Sequence, residues 1–227
     1  MDAVARALKD AQDQAESLFA AIVAENLIVP GKLESVLSRD IHKLARAHFG
    51  VRRHWHKRVV RSGPNTLLKF SDTSVDRRIA ADDIVSLDLG PVFDVWEADL
   101  GRTYVLGPDP DKQRLVTDIA DAFRRGRALF DATPELTAGE LYDFVFGLAP
   151  TYGWKFGASS AGHLIGAFPH ESLAQKSKRF TIRHGNATAL RERDRRGRER
   201  HWILEIHFVD EAKQIGGFFE ELLTIGE

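Results

Sequence analysis

Apolar residues recur at helical spacing through residues 3–26, where Leu8, Ala11, Leu18 and Ile22 would share one face. The run from Pro30 continues this pattern. The spacing therefore predicts two helices at the start of the chain, over 3–26 and 30–50. Two more are predicted over 111–130 and 133–154, the last with Thr137 or a neighbour as its N-cap.

Strand-like runs follow each pair of helices. They lie at 57–63, 83–90, 92–100, around 163–168, 178–184, 201–209 and 215–225, with Gly90-Pro91 as a turn. Two helices followed by several strands, twice over, predict an α+β domain spanning 1–227. We expect two similar halves, about 1–108 and 109–227, whose sheets meet at a cleft.

Composition excludes several classes of protein. The 227 residues are 43% hydrophobic and 29% charged, as in an ordinary globular protein, and the net charge of −1 lacks the basic excess of nucleic-acid binders. No cysteine is present, which excludes disulfides and thiolate metal sites. No apolar run is long enough for a membrane span, and the N-terminus lacks a signal peptide's core. We expect a soluble, cytoplasmic protein that binds neither nucleic acid nor membrane.

Two of the nine histidines lie seven positions apart in "AGHLIGAFPHES", residues 161–172. That spacing would stack them on one helix face. Gly162, Gly166 and Pro169 argue against a helix here, because glycine weakens a helix interior and proline breaks it. An extended segment that turns back on itself is predicted.

Two aspartates lie at positions that a hairpin of two strands could bring close together. Asp88 lies inside an apolar strand, and Asp99 ends another eleven residues later. A hairpin of that length can place both carboxylates at one point, where they would repel each other unless a cation lay between them. The alternative is that one caps a turn and the other is solvated.

Further acids lie within apolar strands. Glu205 stands in "HWILEIHFVD", and Glu220 and Glu221 stand in "GGFFEELLTIG". Strand alternation sends Glu220 and Glu221 to opposite faces, so we expect one in a site and the other solvated. Buried acids are usually paired or bound to metal. Four carboxylates with one imidazole suit two ions of manganese, iron, cobalt or zinc.

The set "SLDLG…EADLGRTY", "AGHLIGAFPHE", "ILEI" and "FFEELL" resembles the metallopeptidases of the pita-bread fold, which include methionine aminopeptidase, aminopeptidase P and prolidase. "RSGPNTLLKF" (61–70) also resembles the proline-directed members, so the resemblance covers essentially the whole chain. It implies two pseudo-symmetric halves with curved antiparallel sheets and helices outside.

The resemblance also implies a set of metal ligands. Asp88 would bind one metal and Asp99 would bridge both. His163 would be the sole imidazole ligand, on the second metal, to which Glu205 also binds. Glu220 would be the second bridging carboxylate.

Two catalytic residues follow from the same resemblance. Glu205 would take part in proton transfer, and His170 would contact the substrate carbonyl. The implied reaction is hydrolysis of an N-terminal amide bond in a small peptide, of the Xaa-Pro aminopeptidase or dipeptidase type, with two divalent ions as cofactors. A metal-dependent hydrolase of a non-peptide amide and a non-catalytic peptide-binding relative stay open as alternatives, and so does a homodimer.

The chain departs from the family pattern near the expected substrate. Phe70 stands where proline-directed members have a substrate-contacting histidine, which puts peptide cleavage in question. His54 and His56 could substitute for it, although we expect both to be exposed. Where the family has Pro-Gly after Glu205 this chain has Ile206 and His207, and strand alternation directs His207 toward the cleft.

Two more segments bear on function. The extra N-terminal domain of aminopeptidase P and prolidase is expected to be missing. The charged run "RERDRRGRER" (191–200) is predicted to be a solvated loop, with a mobile rim that contacts an acidic substrate or another subunit as the alternative.

Overall fold

The helices of the chain form at the four places predicted. In the computed structural model, which describes residues 2–169 and 178–225, they are α1 (Ala3–Ala24), α2 (Glu34–Phe49), α3 (Pro110–Ala132) and α4 (Ala138–Thr151). The Asp2 carboxylate caps α1 by accepting a hydrogen bond from the Ala5 N–H at 2.8 Å. Thr137 is the N-cap of α4, as predicted, in a reciprocal capping box with Glu140. α2 is followed by Gly50 as its C-cap, whose φ of +66° suits a glycine.

The strands follow each pair of helices and are all paired antiparallel. They are β1 (Val59–Ser62), β2 (Ile84–Leu89), β3 (Val92–Phe93), β4 (Trp96–Glu97), β5 (Leu100–Val105), β6 (Lys155–Phe156), β7 (Leu164–Ile165), β8 (His201–Asp210) and β9 (Ile215–Leu222). Short 3₁₀ turns occupy Gly63–Leu67 and Lys178–Phe180.

One sheet joins the two predicted halves. Its order is β1-β2-β5-β9-β8-β6, with β7 also paired to β8, and β3 and β4 form a separate hairpin. The strands from the first half meet those from the second between β5 and β9, where Gly101 faces Glu220. The predicted meeting of two sheets is therefore a continuous sheet, and the α+β class is confirmed.

The apolar faces of the helices cover this sheet in two main clusters. In the first half, Leu18 of α1 and Ile41 of α2 are fully buried with Leu87 of β2. In the second half, Phe123 of α3 packs with Trp202 of β8. The Trp202 indole donates a hydrogen bond to the Leu190 carbonyl at 2.8 Å, so its polar group is satisfied in the core.

Two of the predicted strands are wrong in detail. Residues 92–97 form the β3–β4 hairpin and β5 begins only at Leu100, because Asp94 adopts a left-handed conformation (φ +55°) that turns the chain. Residues 178–184 are one 3₁₀ turn and an isolated bridge between Thr181 and His163. The left-handed Gly185 (φ +72°) lies in the turn that follows.

The charged run 191–200 forms an irregular segment whose charges pair with one another. Arg198 lies 2.7 Å from Asp194, and Arg193 lies 2.9 Å from Glu199. None of the helices in the described parts of the chain is long and apolar enough to cross a membrane.

Candidate metal centre and active-site cleft

Strand register places three carboxylates in one row across the middle of the sheet. Asp88 of β2 faces Gly101 of β5, Gly101 faces Glu220 of β9, and Glu220 faces Glu205 of β8. Residues of one such row project from the same face of a sheet. A Cβ at Gly101 would lie 2.4 Å from the ring of Phe218 and 2.9 Å from the Glu220 Cβ. A larger residue at this position would therefore displace these side chains.

Asp99 contributes a fourth carboxylate on the same face, two residues before Gly101. Its side chain is buried, and each of its oxygens meets an imidazole. Oδ2 lies 3.0 Å from Nε2 of His163, and Oδ1 lies 3.1 Å from Nε2 of His56. The alternative of one turn-capping and one solvated aspartate is therefore wrong.

His163 reaches the acids because its segment pairs with β8. The His163 carbonyl accepts a hydrogen bond from the Ile203 N–H at 2.8 Å, and the Glu205 N–H donates to the Ala161 carbonyl at 3.0 Å. A Cβ at Gly162, whose φ is +133°, would lie 2.0 Å from the Ile203 carbonyl oxygen. The glycine before His163 thus permits the close approach that places Nε2 3.6 Å from the Glu205 carboxylate.

His56 joins the site, although the sequence indicated an exposed residue. Its side chain is only 7% exposed, and its Nε2 also lies 3.4 Å from Oδ1 of Asp88. The expectation that His54 and His56 are exposed is wrong. His54 lies away from the acids, and burial, aided by Arg58, lowers its pKa to about 3. The sequence offered no local signal for His56, because its contacts come from residues far along the chain.

Crowding of buried acids perturbs their protonation. Burial raises the pKa of Asp88 to about 7, reinforced by Asp99 and Glu205. Burial and the neighbouring carboxylates also raise the pKa of Glu205, and they hold that of Glu220 well above its usual range. Without a cation, the cluster therefore retains protons at neutral pH.

The histidines and Asp99 show the opposite balance. Burial disfavours the imidazolium, yet the adjacent carboxylates raise the pKa of His56 and of His163 to about 9. Burial would raise the pKa of Asp99, but these two histidines lower it. A positive charge is thus favoured on either side of Asp99.

The donor set fits divalent metal ions. Glu220 Oε2 is buried without a hydrogen-bond partner among the described residues, which is costly unless a cation binds it. Two groups each bring three ligand atoms within 4.8 Å of one another, with Asp99 common to both: Asp88, Asp99 and His56, and Asp99, His163 and Glu220. The structure brings together all five predicted ligands, Asp88, Asp99, His163, Glu205 and Glu220. The predicted catalytic residue His170 lies outside the described residues.

These residues lie in a cleft of about 440 Å³, which Phe70 and His207 also line. Phe70 is 50% exposed, and its ring lies edge-on to His56 with 5.5 Å between centroids. His207 is buried and donates from Nε2 to the Thr66 carbonyl at 2.9 Å. Burial lowers its pKa to about 4, so it is neutral at physiological pH. Both predicted substrate contacts therefore face the cleft, with His207 held in place by the backbone.

Glu221 lies on the opposite face of β9, as strand alternation predicted. It is not solvated, however, because it forms an ion pair with Arg102 and lies 3.7 Å from Arg127. The two arginines join β5 and α3 to β9 behind the cleft.

Comparison with known proteins bears on the fold and the family of the chain. The chain is 29% identical over 153 residues to an Xaa-Pro dipeptidase of Pyrococcus furiosus, which covers 67% of this chain and 43% of that protein. The X-Pro aminopeptidase of Thermotoga maritima superposes with a TM-score of 0.75 at 21% identity, covering 97% of this chain and 60% of that one. A methionine aminopeptidase of Thermotoga maritima superposes with a TM-score of 0.72 at 16% identity, covering 100% of this chain and 98% of that one.

The chain spans less than half the length of the curated relative that it matches. The solved structures share the pita-bread fold, which confirms the fold expected from the sequence. The model of metallopeptidase family M24 matches residues 6–195, most of the chain. This chain therefore belongs to metallopeptidase family M24.

Proposed function

We propose that this chain is a dinuclear-metal-dependent hydrolase that cleaves the N-terminal amide bond of small peptides, with a preference for Xaa-Pro bonds. The observation that carries the proposal is the carboxylate row of Asp88, Glu220 and Glu205, which meets Asp99 and His163 at one cleft. A surface that only bound peptides would have no use for buried acids that repel one another.

Two divalent cations would be held by Asp88, Asp99, His163, Glu205 and Glu220, and the resemblance assigns Asp99 and Glu220 to both ions. When bound, such ions acidify a water molecule to supply the nucleophile and polarise the scissile carbonyl. Carboxylates with imidazole suit manganese, cobalt, iron or zinc.

Glu205 is the proposed proton carrier of the reaction. Its side chain is 20% exposed, whereas that of Asp99 is 2% exposed, so it faces the space where substrate and water enter. A carboxylate at this position can take a proton from water and pass it to the leaving nitrogen. His170 is proposed to donate a hydrogen bond to the developing oxyanion.

The cleft suits a small peptide with an apolar second residue. Its volume lies within the range of small-molecule sites. Apolar side chains of Val59, Leu68, Phe70 and Phe218 line it and would contact a proline ring. The peptide's α-ammonium group would be attracted to the acids. The Xaa-Pro dipeptidase similarity supports the same substrate class.

Phe70 favours a second candidate function. It places an apolar ring where the resemblance predicts a substrate-contacting histidine, so a polar contact to a peptide is missing there. Hydrolysis of a non-peptide amide by the same centre is therefore the alternative.

A substrate panel separates these functions. Protein loaded with manganese or cobalt would be assayed on Ala-Pro, Ala-Ala, Ala-Pro-Ala and simple N-alkyl amides, with metal-chelated protein and Asp99→Asn as controls. We expect release of alanine from the Xaa-Pro peptides, several-fold faster than from Ala-Ala, and none in either control. Cleavage of the simple amides alone would favour the second candidate. Metal-loaded protein that cleaves nothing would contradict both.

A further inference from the structure

We propose that His56 is an additional metal ligand, which binds through Nε2 the same ion as Asp88. Each of the two metals would then have one imidazole ligand, His56 on one side of Asp99 and His163 on the other. The inference rests on the dinuclear site proposed above, and it changes that site from one imidazole to two.

The first support is the position of the ring. His56 Nε2 lies 3.1 Å from Oδ1 of Asp99 and 3.4 Å from Oδ1 of Asp88, and its side chain is 7% exposed. These three atoms are close enough to surround one cation.

The second support is the orientation of the other ring nitrogen. Nδ1 of His56 lies 2.6 Å from the carbonyl oxygen of Lys57, an acceptor, so Nδ1 must carry the hydrogen. A cation that takes the place of a proton on Nε2 would bind the lone pair of this nitrogen between the two carboxylates. Metal-binding histidines usually donate their second N–H to a carbonyl or carboxylate in this way.

His163 shows the same arrangement and serves as an internal comparison. Its Nδ1 lies 2.8 Å from the carbonyl of the next residue, Leu164, and its Nε2 lies 3.0 Å from Oδ2 of Asp99. The two histidines therefore approach the two oxygens of Asp99 alike, each oriented by the carbonyl of its following residue. His56 therefore has the same contacts as His163, the histidine expected to bind metal.

The third support is that packing fixes the His56 ring. A Cβ at Gly90 would lie 2.2 Å from Cδ2 and 2.4 Å from Nε2 of His56, so the ring occupies the space that glycine leaves. The neighbouring Trp55 donates from its indole to the Ala98 carbonyl at 3.1 Å and lies edge-on to His56 at 4.4 Å. A ligand held this firmly loses little entropy when metal binds.

Cobalt binding tests the proposal without relying on turnover. Metal-free protein would be titrated with Co²⁺, with calorimetry and the visible absorption of bound cobalt as readouts and elemental analysis for stoichiometry. The variants are His56→Ala and the bulkier His56→Gln. The matched control is His54→Gln, which removes a buried imidazole from the same segment. Thermal unfolding would show that each variant folds.

We expect wild type and His54→Gln to bind two Co²⁺ ions per chain. Each His56 variant should weaken one binding step by more than about tenfold and change the cobalt spectrum of that step. Wild-type affinity for both ions in the His56 variants would overturn the inference, even if turnover fell, because His56 would then act as an ion-pair partner or a substrate contact. If wild type binds no cobalt, the proposed dinuclear function fails as well.

Discussion

Replacing Glu220 with glutamine should stabilise the metal-free protein and abolish most of the stabilisation that metal gives. Glu220 is 2% exposed, its Oε2 has no partner among the described residues, and Asp88, Asp99 and Glu205 surround it. Glutamine has nearly the same shape without the titratable proton. The substitution therefore isolates the charge from the packing.

The sign of the effect follows from the raised pKa of Glu220. In the folded, metal-free protein the Glu220 carboxyl group keeps its proton at pH values above 4.5, the ordinary pKa of a glutamate. In the unfolded chain the carboxyl group loses its proton at those pH values. The folded state then binds more protons, so stability falls as pH rises, by about 1.4 kcal/mol per pH unit while Glu220 stays protonated. Glutamine removes this slope. Between pH 5.5 and 7.5 the advantage of the variant over wild type should therefore widen, at no more than that slope.

Bound metal should make wild type more stable than the Glu220→Gln variant. A cation at Glu220 stabilises the ionised carboxylate, and a free metal concentration of 100 times Kd stabilises wild type by about 2.7 kcal/mol per site. Urea unfolding would be measured for both proteins at both pH values, with chelator and with excess Mn²⁺. We expect the variant to be the more stable protein with chelator and the less stable one with Mn²⁺.

Glu221→Gln is the matched control, since Glu221 is the next residue but pairs with Arg102 on the opposite face of the sheet. It should not increase stability in chelator, and its response to Mn²⁺ should equal that of wild type. Our reasoning would be refuted if Glu220→Gln lowered the stability of the metal-free protein at pH 7.5, or if Mn²⁺ stabilised it as much as wild type.

Three further predictions concern other residues. His163→Ala should lower metal content and hydrolysis together, whereas His170→Ala should keep its metal and lose turnover by about 100- to 1,000-fold; equal loss of metal in both variants, by elemental analysis, would contradict this division. Gly90→Ala should displace His56 and weaken Co²⁺ binding without removing any ligand; unchanged affinity would show that the ring need not occupy that space. Glu34→Ala should lower the free energy of unfolding in urea by about 3 kcal/mol or more. The buried Glu34 carboxylate accepts hydrogen bonds from Ser62 and Asn65, and these donors would lose their partner. A decrease of less than about 1 kcal/mol would refute this prediction.

The sequence by itself determined the helices, most of the strands and the identity of the acids. Helix and strand periodicity are local properties, and the Thr137 capping box is contained within four residues. Acids inside apolar strands are conspicuous without any structure, which is why Asp88 and Glu220 could be selected. Resemblance to known motifs then supplied the expected roles of these acids. Strand register brings the acids themselves together.

Tertiary structure alone decided which groups meet. His56 looked like a surface residue, since its contacts with Asp88 and Asp99 depend on strand pairing and on the space at Gly90, which no local pattern encodes. The absence of a strand over 178–184 and the ion pairs of Glu221 arise in the same way, from partners that lie far away in sequence. Local propensity fixes what a segment tends to form, whereas pKa values, burial and ligand geometry depend on the neighbours that long-range packing brings to it.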